Sequence, residues 1–161
     1  MKILFIQTGG TIDKDYPQTT RGWAFEIDEP AASRLLEVLN PSFDYAVKTA
    51  CRKDSLELTD ADREKIVSLI NQEAAEAYII THGTDTIIET AGFLASQVPD
   101  KVVVLTGAML PQRFMNSDAA INLGIAIGAA GTLTAGIYVA MHGVVKPFDL
   151  IQRDMQTGKF F

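Results

Sequence analysis

The sequence predicts an α/β domain, a three-layer α/β/α sandwich around a mostly parallel sheet. Three observations carry that expectation. Short apolar or β-branched runs recur along the chain, and most are continuously apolar, as strands buried on both faces are. Threonine and glycine close three of these runs, KILFIQ, AYIIT and KVVVLT. The stretches between runs have the length and apolar spacing of helices, and strands alternating with helices build a parallel sheet covered on both sides.

Each element has its own justification. Residues 2–7, KILFIQ, form a first strand ended by TGGT. The polar stretch 13–26, DKDYPQTTRGWAFE, has the length of a functional lid or a disordered connector. RLLEVL (34–39) follows Pro30, with Asp28 and Glu29 ahead of it. Proline in a first turn and acids near the positive end of the helix dipole mark a helix start. FDYAVKTA (43–50) alternates aromatic and β-branched positions, as a second strand does. In TDADREKIVSLINQ (59–72), Thr59 and Asp62 form a capping box before an apolar stripe at Ile66, Leu69 and Ile70. AYIIT (77–81), KVVVLT (101–106) and AGIYVAM (135–141) are three more strands, separated by helices over TIIETAGFLASQ (86–97) and DAAINLGIAIGAA (118–130). The order β-loop-α-β-α-β-α-β-α-β suits a Rossmann- or flavodoxin-like winding. It is expected to be a single domain over residues 1–161, without repeats, low-complexity tracts or linkers.

Composition narrows the function classes. With 161 residues, 47% of them hydrophobic, the chain can fill a core of its own; domains of this size bury roughly 70% of their unfolded surface. Acidic residues outnumber basic ones 20 to 14, for a net charge of −6, which speaks against a nucleic-acid partner. No run reaches the roughly 20 apolar residues of a membrane span. MKILFIQTGG lacks a signal h-region and cleavage site and reads as a strand, so a soluble cytoplasmic protein without a membrane partner is expected. Cys51 is single and cannot form an internal disulfide; beside Arg52 and Lys53 it is read as a small structural side chain. His82 and His142 are no zinc-ligand set, and no metal or organic cofactor is expected.

In open α/β sheets, ligands sit beyond the carboxyl ends of the strands. The residues to inspect are therefore Thr8-Gly9-Gly10-Thr11, Arg52 to Leu56 with Asp54 and Ser55, Thr81-His82-Gly83-Thr84-Asp85-Thr86, and Thr106-Gly107-Ala108-Met109. TGGTI matches neither G-x-G-x-x-G nor G-x-x-x-x-G-K-[ST], so a nucleotide cradle is not indicated. Taken alone it reads equally well as a plain turn. In HGTDT, Thr84 alone could cap a helix and Asp85 alone could answer its dipole. His82 and His142 are read as hydrogen-bonded packing residues, since no G-x-S-x-G or related signature points to a histidine base.

The combination says more than its parts. TGGTI after the first strand, HGTDT after the third and LTGAM after the fourth resemble the N-terminal domain of bacterial-type L-asparaginases, from Lys2 to about Asp154. The resemblance implies an amidohydrolase that splits L-asparagine into L-aspartate and ammonia. It assigns the nucleophile to Thr11, which would form an acyl-enzyme that water cleaves. Thr84 matches the second threonine and Asp85 the carboxylate that holds the substrate's α-amino group. Ser55, in KDSLELT, matches the serine that meets the α-carboxylate, with Leu56 beside it. Backbone N–H groups near Gly10 and Thr84 would cradle the oxyanion, Gly83 lines the same turn, and the Ala108 carbonyl would face the leaving ammonia. Homodimers or homotetramers are expected from the family, with INLGIAIGAAG as a candidate contact or a core-facing helix.

The sequence departs from the family pattern in three places. Members usually carry a second, smaller domain, and this chain ends at Phe161. Ungapped counting puts Arg153 where the family has the lysine that serves the second threonine; an arginine stays protonated and cannot shuttle a proton. Lys146 is the alternative. The family's covering tyrosine corresponds to Tyr16, with Trp23 and Phe25 as substitutes. Glutamine or another small amide is a variant substrate, and a pure binding module for asparagine or aspartate is the reading from another class. The glutamine-hydrolysing component of a transfer-RNA amidotransferase ranks low because the chain opens directly on the first strand.

Overall fold

The computed structural model describes residues 1–20 and 22–161. In chain order the elements are β1 (Lys2–Gly9), a 3-10 turn (Thr11–Asp13), β2 (Lys14–Asp15), β3 (Gln18–Thr19), β4 (Gly22–Trp23), β5 (Glu26–Ile27) and α1 (Ala31–Leu39). Then follow β6 (Asp44–Lys53), a second 3-10 turn (Ser55–Glu57), α2 (Asp60–Gln72), β7 (Ala77–Thr81) and α3 (Ile87–Gln97). β8 (Val102–Thr106), α4 (Ala119–Ala130), β9 (Gly136–Met141) and β10 (Val144–Pro147) complete the chain.

The apolar runs become neighbours in one sheet of order β10-β9-β8-β7-β1-β6. Five strands are parallel, and β10 runs antiparallel to β9. Strand residues alternate between faces, so each buried run feeds two cores. Leu4, Ile6, Tyr78, Ile80, Val103 and Leu105 pack on Ile66, Ile70, Ala91 and Leu94 of α2 and α3. Ile3, Phe5, Ile79 and Val104 pack on Leu36 of α1 and on Leu123 and Ala126 of α4. A fully buried aliphatic side chain stabilises by roughly 1.5–3 kcal/mol, so packing on these faces, more than local propensity, fixes the layers. The predicted Thr59–Asp62 capping box is present at the start of α2.

Four local expectations are corrected. Residues 13–26 hold structure of their own: β2 pairs with β5 and β3 with β4, making a two-tier antiparallel arm. Arg21, within that stretch, lies outside the described residues. A sixth strand, β10, follows a two-residue turn in which His142 and Gly143 have φ of 53° and 85°, the positive φ at both positions that a type I′ turn requires. The second strand runs on to Lys53. The first helix starts at Ala31, and its N-cap, Pro30, makes no side-chain cap. Asp13 answers instead, accepting the Ala31 N–H at 2.7 Å from a distant part of the chain.

β6 and β7 lie on opposite sides of β1. The winding reverses there, and a crevice opens beyond the carboxyl ends of β1 and β7. Both threonine motifs emerge at that point.

Candidate active site

Glycines let four backbone segments meet at closer range than side chains would permit. Gly10 has φ 76° and ψ −174°, a region open essentially to glycine alone. A Cβ on it would lie 2.3 Å from both the N and the Cα of Gly83. A Cβ on Gly83 would lie 2.6 Å from the Cβ and Oγ of Ser55, and one on Gly107 would lie 2.4 Å from the His82 carbonyl oxygen. Gly9, at φ 113°, packs in the same way on the Lys53 backbone, 2.4 Å from its oxygen. The TGGT, HGT, KDS and TGA segments are thus stacked backbone on backbone. That brings Thr11, Thr84, Ser55 and Ala108 to one place.

Hydrogen bonds fix the stack. Thr8 Oγ1 donates to the Thr81 carbonyl at 2.8 Å, tying β1 to β7. Thr86 Oγ1 donates to the Ser55 carbonyl at 2.8 Å. The Gly10 N–H is taken by the Lys53 carbonyl at 2.9 Å, which removes it as an oxyanion donor. Among the described residues, the N–H groups of Thr11 and Thr84 have no protein acceptor. Ser55 is 1% exposed, and its buried Oγ has no partner among those residues either. Unpaired buried polar atoms such as the Ser55 hydroxyl are uncommon, and the two half-buried threonine residues add two unpaired amides beside it.

Arg153 does not bond the Thr84 hydroxyl. Its Nη1 donates to the Thr84 carbonyl at 3.1 Å and to Asp85 Oδ1 at 2.7 Å. Lys146 sits in β10, opposite Val139. Tyr16 is half exposed on the arm, its ring stacked on Phe25 at 4.6 Å between centroids. Leu56 is also exposed, while Ala108 is buried. Cys51 is structural: its Sγ donates to the Thr8 carbonyl, and burial pushes its thiol up to about 11.

Several supporting residues were not singled out from sequence. Asp118 accepts the Met109 and Leu110 N–H groups and the Asn122 amide, and Asn122 reaches the Gly107 carbonyl at 3.0 Å. Their i, i+4 spacing at the start of α4 was the available signal. Asp13 is fully buried two residues after Thr11, and Thr81 Oγ1 donates to it at 3.2 Å. Burial raises its pKa to about 6, against the Ala31, Thr81 and Gln7 hydrogen bonds and the charge of Arg34. Inside a polar run, nothing marked it as buried. His82 is fully buried too, and burial lowers its pKa to about 4, with Arg63 pushing the same way. His142, read as a packing residue, accepts the Phe160 N–H on Nδ1 at 3.1 Å. No helix among the described residues is long and apolar enough to cross a membrane.

The family described as "Asparaginase, N-terminal" matches residues 2–152. A component of the glutamyl-tRNA(Gln) amidotransferase of Methanococcus maripaludis is 33% identical over 150 residues, covering 88% of this chain and 35% of its own. Glutaminase-asparaginase of Acinetobacter glutaminasificans is 29% identical over 167 residues, covering 97% and 49%. The thermostable L-asparaginase from Thermococcus kodakarensis superposes with a TM-score of 0.80 at 29% identity, over 95% of this chain and 48% of that one. The chain spans half or less of the length of each of these relatives.

Proposed function

The chain belongs to the asparaginase family, matching its N-terminal domain, and from that premise we propose that it is an amidohydrolase acting on L-asparagine through Thr11. One observation supports the reading: the backbones of Gly10 and Gly83, the residues just before Thr11 and Thr84, are stacked on each other. In this reading Thr11 Oγ attacks the side-chain amide carbon. The C–N bond breaks, ammonia leaves with the proton, and water then cleaves the Thr11 ester to give aspartate. The Thr11 and Thr84 N–H groups hold the oxyanion. Ser55 Oγ takes the α-carboxylate, and the free oxygen of Asp85 takes the α-ammonium. Arg153 orients Asp85 and the Thr84 peptide and carries no proton.

Relatives named as an amidotransferase component and as a glutaminase-asparaginase support testing glutamine on equal terms, since one methylene is worth about 1–3 kcal/mol in a pocket. The Arg153–Asp85 pair favours a second reading, a binding module for asparagine or aspartate. It occupies the carboxylate with a cation that cannot relay protons. Ammonia release from L-asparagine and L-glutamine by the purified protein separates the two. Turnover that falls about a thousandfold or more in Thr11→Ala is the expected outcome, of the size lost when an activated nucleophile is removed. Absent release, with asparagine still raising the melting temperature, would assign the binding module instead. The reading includes a homodimer or homotetramer, which light scattering on the same sample checks.

A further inference from the structure

We infer that His82 is a positioning residue whose ring locks the Gly83–Thr84 peptide, so that the Thr84 N–H faces the reacting carbonyl. The inference rests on the amidohydrolase reading above.

The hydrogens of the ring follow from its partners. Nδ1 lies 2.8 Å from the Gly83 carbonyl oxygen and Nε2 2.9 Å from Thr90 Oγ1. A carbonyl only accepts, so Nδ1 carries the hydrogen. Thr90 Oγ1 already accepts from Arg63 Nε at 3.1 Å, and a guanidinium has nothing to accept with. The hydroxyl proton of Thr90 is therefore left for Nε2. Arg63 is in turn held by Asp60 at 2.8 Å and Glu89 at 2.7 Å. The series Arg63 to Thr90 to His82 to Gly83 has one consistent direction of donation, and it fixes the neutral Nδ1–H tautomer.

The peptide then transmits that direction. A trans peptide is planar, with its C=O and N–H pointing opposite ways. Holding the Gly83 oxygen against the ring turns the Thr84 N–H to the side away from it. That N–H has no protein acceptor among the described residues. Gly83 is the residue that makes the lock necessary. The Ser55 side chain leaves no room for a Cβ there, and glycine leaves its peptides free to rotate. His82 removes that freedom from one side and Arg153, bonded to the Thr84 carbonyl, from the other.

The test compares His82→Asn, whose amide nitrogen overlays Nδ1, with His82→Gln, whose amide reaches toward Nε2. Both are measured in the full chain on L-asparagine and L-glutamine, with melting temperatures alongside. His82→Gln is expected to lose kcat about 10- to 100-fold with KM within about threefold, the signature of a misdirected oxyanion donor. His82→Asn should recover most of it. Equal losses in both variants, or a loss confined to KM, would overturn the inference. So would wild-type kcat in His82→Gln, and that result would leave the amidohydrolase reading standing. Absence of turnover by the wild type removes the reading and the inference together. Should His82→Gln fail to fold, ring-15N NMR of the wild type decides: a protonated Nδ1 and bare Nε2 are expected, and a protonated Nε2 overturns the assignment.

Discussion

The crevice at β1 and β7 and the arm formed by β2 to β5 are adjacent in sequence and built by opposite means. The crevice is held by backbone stacked on backbone at Gly9, Gly10 and Gly107 and by the Ser55 side chain seated against Gly83, with Ser55, His82 and Asp13 buried in it. The arm is held by side chains at its surface. Lys14 pairs with Asp54 at 3.0 Å, Arg113 with Asp15 at 2.6 Å, and Tyr16 stacks on Phe25. Trp23, near its tip, is 72% exposed. The difference teaches which part fixes geometry and which part is free to move. Backbone contacts cannot be relaxed by a rotamer change, whereas a surface ion pair contributes about 0–1 kcal/mol and exchanges with water.

The sharpest way to break this contrast is Gly10→Ala. It meets both a backbone clash and a φ reserved for glycine, and is expected to cost more than about 3 kcal/mol, a drop of roughly 6–12 °C in Tm for a chain of this size. Calorimetry reads it, and a wild-type Tm would refute the stacked crevice.

The next effect is one of pH, because the crevice buries two titratable groups of opposite sense. Asp13 has its folded pKa raised, so its stabilising share is full below pH 3.8 and lost as pH rises through about 6. His82 has its folded pKa lowered, so its share is full above pH 6.5 and lost as pH falls through about 4. Each is worth about 3 kcal/mol at 1.36 kcal/mol per pK unit, and the two nearly cancel between pH 4 and 6.5. Asp13→Asn removes one side, so unfolding stability should climb with pH across that window more steeply than in the wild type. Urea titrations at pH 4.5 and 7 measure it, and unchanged slopes would contradict the burial of Asp13. Smallest is Lys14→Ala on the arm, expected to lower Tm by less than about 3 °C. A loss as large as that of Gly10→Ala would erase the distinction between the two regions.

The same division decided what was legible in the sequence. Strands β1, β7, β8 and β9 announce themselves because burial on both faces demands unbroken apolar runs. The paired glycines and threonines that follow mark where they end. Thr11, Ser55, Thr84 and Ala108 converge because they follow β1, β6, β7 and β8, four neighbouring strands whose carboxyl ends lie at or beside the winding reversal. Asp13 was not legible, since its partners, Ala31 and Thr81, are brought to it by the fold. Nor was β10: its turn is His142-Gly143, outside the usual Asn-Gly and Asp-Gly pairs. The arm lacked any hydrophobic alternation because it buries almost nothing. Arg153 could be counted into place but not aimed, and its bond to the Thr84 carbonyl depends on the final bend of the chain.

The short antiparallel strand β10 also governs what the sheet presents to other chains. One rim of the sheet is four residues long and ends in Lys146 and Pro147. The opposite rim, β6, carries Lys48, Arg52 and Lys53. Cationic and proline-tipped rims are poor templates for a foreign strand to copy. Growth of the sheet into a fibre is therefore discouraged at both rims.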